Sequence, residues 1–263
     1  MRIDKLTLIS GKPIPCPELR ASIHQPKISE IALLGEKVFY EYLGIFKTTV
    51  EGALNSVDPN LPKEKLEAVK THLSFYTDFQ IVLEMQRESQ ESEIGLTTIL
   101  MMLFPQYDNI KFEDRFILLT SSQVNSQGKP KFLPLIIDDE KWSTLCNIAS
   151  TIFCLDGGTG GEDDFNPASE QARAIAEKLK KRHEILNQHK TEKEYSVIIA
   201  HLISSLSIGA QISLNEVLDY TIYQLFTQLK RYGLHEEYRN AIDSILAGAK
   251  QDEIQMVDWM REL

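Results

Sequence analysis

His183-Glu184-Ile185-Leu186-Asn187-Gln188-His189 has the residue types of a zinc-hydrolase helix but not its spacing. Its imidazoles are six residues apart, a turn of roughly 600° on a helix, so they point to different sides. His183 also falls on an apolar stripe and reads as a packed side chain. Gly11-Lys12-Pro13 and Gly128-Lys129-Pro130 lack the upstream glycine and the Ser/Thr of a phosphate-binding loop. In both, the proline removes a backbone N–H that such a loop would use. Glu162, Asp163 and Asp164 follow a run of glycines and offer oxygen ligands to a hard cation. The alternating carboxylates and distal glutamate of an EF-hand are missing, however, and one Gly-rich unit cannot stack into a calcium roll. A nucleophile elbow of the Gly-x-Ser-x-Gly type does not occur. Cys16, Cys146 and Cys154 are odd in number, without CxxC spacing, and read as reduced, buried thiols. The expectation is a non-enzyme with no catalytic residue, cofactor or metal.

Composition narrows the class further. A chain of 263 residues has room for one large domain or two ordinary ones, and 43% hydrophobic with 25% charged residues is ordinary for a folded protein. A net charge of −10 argues against nucleic acid, because neutralising phosphates needs a basic footprint. The longest apolar run, 94–105, is broken by Gly95, Thr97 and Thr98 and falls short of the roughly 18 residues of a membrane span. Met1-Arg2-Ile3-Asp4-Lys5 opens no secretory leader. A cytoplasmic protein with no membrane partner is expected.

The elements that would position any binding surface fall into three regions. In 1–155, Leu6-Thr7-Leu8 alternates like a strand up to Gly11, and Pro13-Ile14-Pro15-Cys16-Pro17 demands extended backbone. A helix is expected from Ile28 to Phe46, weakened by Gly35 and Gly44, another after Pro62, and a third over 93–104. Two β-like runs, Phe112–Thr120 and Phe132–Ile137, flank a turn-rich loop at 121–130. Pro134 places the second run at a sheet edge. Asp138 reads as the cap of a helix through Trp142 and Phe153. The Gly-rich acidic stretch 156–165 reads as a linker. From 166 to 263 the periodicity is helical: a helix after Pro167, one over 195–208, one over 214–232 opened by the capping box Ser213-Leu214-Asn215-Glu216 and closed by Gly233, then 235–247 and 252–262. The fold class expected is α+β, mainly helical, with an N-terminal mixed domain holding a small β-hairpin or sheet and a C-terminal helical bundle.

The last helix would set Met256, Trp259, Met260 and Leu263 at i, i+3, i+4 and i+7. Methionine gives adaptable contacts and tryptophan an anchor, so this face is the candidate partner-binding surface.

The segments Asp138-Asp139-Glu140-Lys141-Trp142, Phe165-Asn166-Pro167-Ala168, Ala174-Ile175-Ala176-Glu177-Lys178-Leu179, Leu218-Asp219-Tyr220-Thr221-Ile222-Tyr223-Gln224-Leu225-Phe226, Leu246-Ala247-Gly248-Ala249-Lys250 and Val257-Asp258-Trp259-Met260 follow one another in that order. In this order the region from about residue 107 onward resembles tail assembly chaperones and related tail proteins of tailed bacteriophages that infect Gram-positive hosts. The resemblance implies binding to the helical tape measure protein before tail tube polymerisation, in the cytoplasm of the infected host. Other tail proteins and a homo-oligomer are further partners it admits. The alternative is a structural component of the tail or baseplate, carried in the virion.

If the acidic Gly-rich stretch holds no ion, thermal melts in chelator and in millimolar calcium coincide; a calcium-dependent rise in Tm would overturn that reading.

Overall fold

Helix starts are written locally in this chain, and most of the architecture follows from where those starts fall. The computed structural model describes residues 3–58, 62–155, 198–250, 254 and 256–260. The chain divides into two units: Met1–Phe153 with Thr221–Tyr223, and Cys154–Tyr220 with Gln224–Leu263. The fold class is mainly helical α+β. The expected linker 156–165 and the helix after Pro167 lie outside the described residues.

In the first unit, α1 (Lys5–Ser10) replaces the strand expected at Leu6-Thr7-Leu8. The Asp4 carboxylate accepts the Thr7 N–H at 3.2 Å, and Gly11 at φ 64° closes the far end. A cap at each end outweighs a three-residue alternation. β1 (Ile14–Cys16) pairs antiparallel with β2 (Ala21–Ile23), burying Ile14, Cys16 and Ile23 and leaving Pro15 outside. The turn between them holds Arg20 at φ 53°, a left-handed conformation rare for a long side chain. Buried Gln25 donates its amide to the carbonyls of Thr7 (3.1 Å) and Lys12 (2.6 Å), tying α1 to the hairpin.

The helix expected over 28–46 is divided. Gly35 at φ 84° separates α2 (Ile28–Leu34) from α3 (Glu36–Leu43), and a 3-10 turn follows at Gly44–Lys47. Next come α4 (Val50–Ser56), capped by Thr49, and α5 (Lys63–Leu73). Then α6 (Asp78–Glu88) forms where no helix is expected, and α7 (Gln90–Leu103) covers the helix expected over 93–104. Gly95 lets α7 approach α3 closely: a Cβ there would lie 2.8 Å from the Tyr42 ring.

The expected run Phe112–Thr120 holds one strand, β4 (Ile117–Thr120), after a turn at residues 113–116, and its antiparallel partner β3 (Asn109–Phe112) starts before the run. β5 (Leu135–Ile137) completes the antiparallel order β3-β4-β5. It is an edge strand, as Pro134 requires, and the proline keeps Phe132 and Leu133 outside the ladder. Ile117, Leu119, Leu135 and Ile137 face the core. Asp138 caps α8 (Asp139–Ile152), accepting the Lys141 N–H at 3.1 Å. The Lys141 ammonium donates to the Ile136 carbonyl at 2.9 Å. On α8, Trp142 stacks between Phe46 (centroids 5.5 Å) and Phe79 (5.4 Å).

The second unit contains α9 (Ile198–Ala210), α10 (Leu214–Leu218) and most of α11 (Ile222–Leu246). Ser213 and Glu216 form the expected capping box. The single helix expected over 214–232 does not form. The N–H groups of Asp219 and Tyr220 bond three residues back, to Glu216 and Val217, and that tightening ends α10. Gly233 does not terminate anything; α11 runs through it, at the roughly 1 kcal/mol a helical glycine costs. The stop lies at Gly248 (φ 100°), where Gly248 and Ala249 N–H groups return to Ile245 and Ser244. The helix expected over 252–262 is absent from the described part: Met256–Asp258 are irregular and Trp259–Met260 form a turn. Asp258 accepts the Met260 N–H at 3.0 Å, a local bond that competes with helix. No helix among the described residues is long and apolar enough to cross a membrane.

Gln86 on α6 is 4% exposed, and its side-chain amide has no hydrogen-bond partner among the described residues. Gln86→Met, similar in volume, should stabilise the protein by about 1 kcal/mol in urea melts. A lower midpoint would mean that the amide is satisfied.

Candidate functional site

The C-terminal segment is held on one face of α11. Arg231 and His235 are one turn apart there. The Arg231 guanidinium donates to the Trp259 carbonyl, and the His235 ring meets the Trp259 ring edge-on at 5.1 Å. Glu236 takes Arg239 at 3.1 Å on the following turn. Trp259 is thereby half-buried, while Met256 (40%) and Met260 (72%) are exposed. Leu263 lies outside the described residues. Met256, Trp259 and Met260 are thus placed by an irregular segment clamped to a helix, not by the i, i+3, i+4 spacing of a helix of their own. Arg231 and His235 were not among the residues expected to matter. The signal for them is a cation and an imidazole four apart on a helix otherwise rich in half-exposed aromatics.

In the first unit, a polar pocket of about 540 Å³ lies over the Trp142 stack. Thr49, Thr77, Asp78, Asp139, Ser143 and Asn147 line it, and Asp78 accepts the Val50 N–H at 2.7 Å. Cys146 is the thiol in its lining, but burial, aided by the Asp78 carboxylate, pushes it up to about 12. Burial raises Cys154 to about 11 and also lifts Cys16. None of the three is in a disulfide, and a neutral thiol is a poor nucleophile. No group of three or more metal-ligating side chains occurs among the described residues.

A second cleft, of about 680 Å³, runs between the β1–β2 hairpin and the segment 131–133. Pro13, Pro15 and Pro17 form one wall with Arg20 and His24, while Tyr107, Phe132 and Leu133 form the other. The Tyr107 hydroxyl donates to the Leu133 carbonyl at 3.0 Å, and burial raises its phenol above the ordinary value. Phe132 packs edge-on against Tyr107 at 6.4 Å, and the Lys131 ammonium lies 5.4 Å from the Phe132 centroid. The proline run was legible as extended backbone; its juxtaposition with 131–133 is a tertiary contact with no local signal.

Residues 189–263 match the family model described as YomV second domain, a phage-derived family, which fits a phage protein of Gram-positive bacteria. The match spans the described helices α9, α10 and α11 and the Trp259 segment, and leaves the first unit almost wholly outside. No curated protein and no solved structure matches the chain.

The thiols give a direct check on the polar pocket. Raised in the fold, Cys146 stays protonated while the unfolded chain ionises above its ordinary value of 9.0. The folded state then holds the extra proton, so stability is complete below pH 9 and declines toward pH 12. Urea melts of wild type should lose about 2 kcal/mol more than Cys146→Ala between pH 7.5 and 10.5. Parallel losses would show that the thiol is not buried.

Proposed function

We propose that this chain is a phage-encoded, non-catalytic protein that acts by binding another protein. In its finer form, the reading is a tail assembly chaperone that covers apolar surface on the helical tape measure protein before the tail tube polymerises in the host cytoplasm. The observation that carries the proposal is the clamped Trp259 segment. Arg231 and His235 hold a large indole half in and half out, and exposed Met256 and Met260 flank it in sequence.

Such a surface suits a helical client. A fixed Trp loses little freedom on binding, and Met adapts to whatever apolar face arrives. The phage-derived family model falls on this same stretch, which supports a phage protein as the setting. Burial raises the thiols of Cys146 and Cys154 and so makes them poor nucleophiles, which favours a binding role over cysteine catalysis.

The test is co-expression with the tape measure protein encoded by the same phage region. Wild type should co-purify with it, and Trp259→Ala should lose capture about tenfold or more, as truncated hot spots do, while its thermal midpoint stays within a few degrees. Equal capture by Trp259→Ala would remove the segment from the interface. Recovery of the chain in purified, tube-containing particles would instead make it a permanent tail component.

A further inference from the structure

The chain carries a net charge of −10, yet no carboxylate lines the cleft between the β1–β2 hairpin and 131–133. Its cations are Arg20 and Lys131, both exposed, and neither is ion-paired among the described residues. Two acids sit at its margin, each already hydrogen-bonded to a lining residue: Glu30 to the His24 imidazole at 3.0 Å, and Glu18 to the Cys16 thiol at 3.4 Å. Two exposed cations beside apolar walls select for anionic groups at short range, where local charge outweighs the protein's net negative field.

The walls are apolar and stiff. Pro13, Pro15 and Pro17 alternate along β1 and its flanks, so they share one side of an extended backbone, opposite buried Ile14 and Cys16. Prolines have no N–H to desolvate and little freedom to lose. Opposite them, Leu133 is 82% exposed, held by the bond from the Tyr107 hydroxyl to its own carbonyl. The two-residue repeat of the proline wall matches the repeat of an extended chain rather than that of a helix.

From these observations we propose that this cleft docks an extended acidic segment of a partner polypeptide, its carboxylates meeting Arg20 and Lys131 and its alternate apolar side chains lying against Pro15, Phe132 and Leu133. The proposal does not rest on the Trp259 segment, and its partner chemistry differs: acidic and extended here, apolar and helical there.

Selection from a random displayed peptide library, on the full chain, tests it. Enriched peptides should alternate acidic with aliphatic or aromatic residues. A synthetic copy of the best one, followed by fluorescence anisotropy, should bind about tenfold or more weakly to the Arg20→Asp/Lys131→Glu double variant, and equally so when its acids become Asn. Its affinity for wild type should fall with added salt. Asp is chosen at position 20 because it tolerates the left-handed backbone there. Should that variant fail to fold, Leu133→Ser with the Asn peptide and the salt titration still decide. No enrichment, enrichment of neutral or basic peptides, or unchanged affinity in the folded double variant would overturn the proposal. So would a concentration-dependent dimer abolished by the same substitutions, since a second copy would then fill the cleft.

Discussion

Trp142 lies between the rings of Phe46 and Phe79, with planes inclined by 24° and 30°, and three stretches of the first unit meet at that indole. The 3-10 turn brings Phe46, α6 brings Phe79 and α8 brings Trp142. Each aromatic pair contributes about 0.5–1.5 kcal/mol beyond its buried area, and the stack also fixes the angle at which the helices approach. α6 and α8 begin at side-chain caps, Thr77 and Asp138, and α4, which follows the 3-10 turn, begins at Thr49. The polar pocket above the indole is therefore a meeting of helix starts. Thr49, Thr77 and Asp78 there accept the backbone N–H groups of Gly52, Gln80 and Val50, which the helix starts leave without a partner. That accounts for three of the polar side chains gathered at the pocket.

Local signals were readable wherever they were bilateral. Asp138 before α8, Ser213 with Glu216 before α10, and Gly248 after α11 were each legible because a cap and a periodic stripe agreed. The strand expected at Leu6-Thr7-Leu8 failed because periodicity over three residues is weaker than an Asp4 cap and a Gly11 stop. α6 was missed although Thr77 and Gln80 form a capping box, since the aromatics Phe75, Tyr76 and Phe79 obscured its stripe. Gly233 misled because glycine marks a helix end only where the backbone turns left-handed, as it does at Gly248 and Gly35. Among the candidate residues, Met256 and Trp259 could be named from their types. Their setting could not, because the clamp by Arg231 and His235 joins residues far apart in sequence.

The two proposed surfaces would divide the labour of recognition by chemistry. Around Trp259 the exposed groups are thioethers and an indole, which discriminate by shape and accept many apolar faces. Around Arg20 and Lys131 they are point charges over a rigid apolar wall, which discriminate by charge and register. The family match covers only the first of these, so the two surfaces need not occur together in every protein carrying the second domain.

The open side of the three-stranded sheet has a consequence for a protein made in quantity. An unpaired edge offers N–H and carbonyl groups to any other copy, and such edges zip into aggregates. β5 is only three residues long, Pro134 withholds a donor beside it, and the Lys141 ammonium occupies the Ile136 carbonyl. At the opposite edge β3 carries exposed Lys111, whose charge two stacked copies would have to bury. The sheet can therefore stay small and unsealed by further strands while remaining unattractive to its own kind at high concentration.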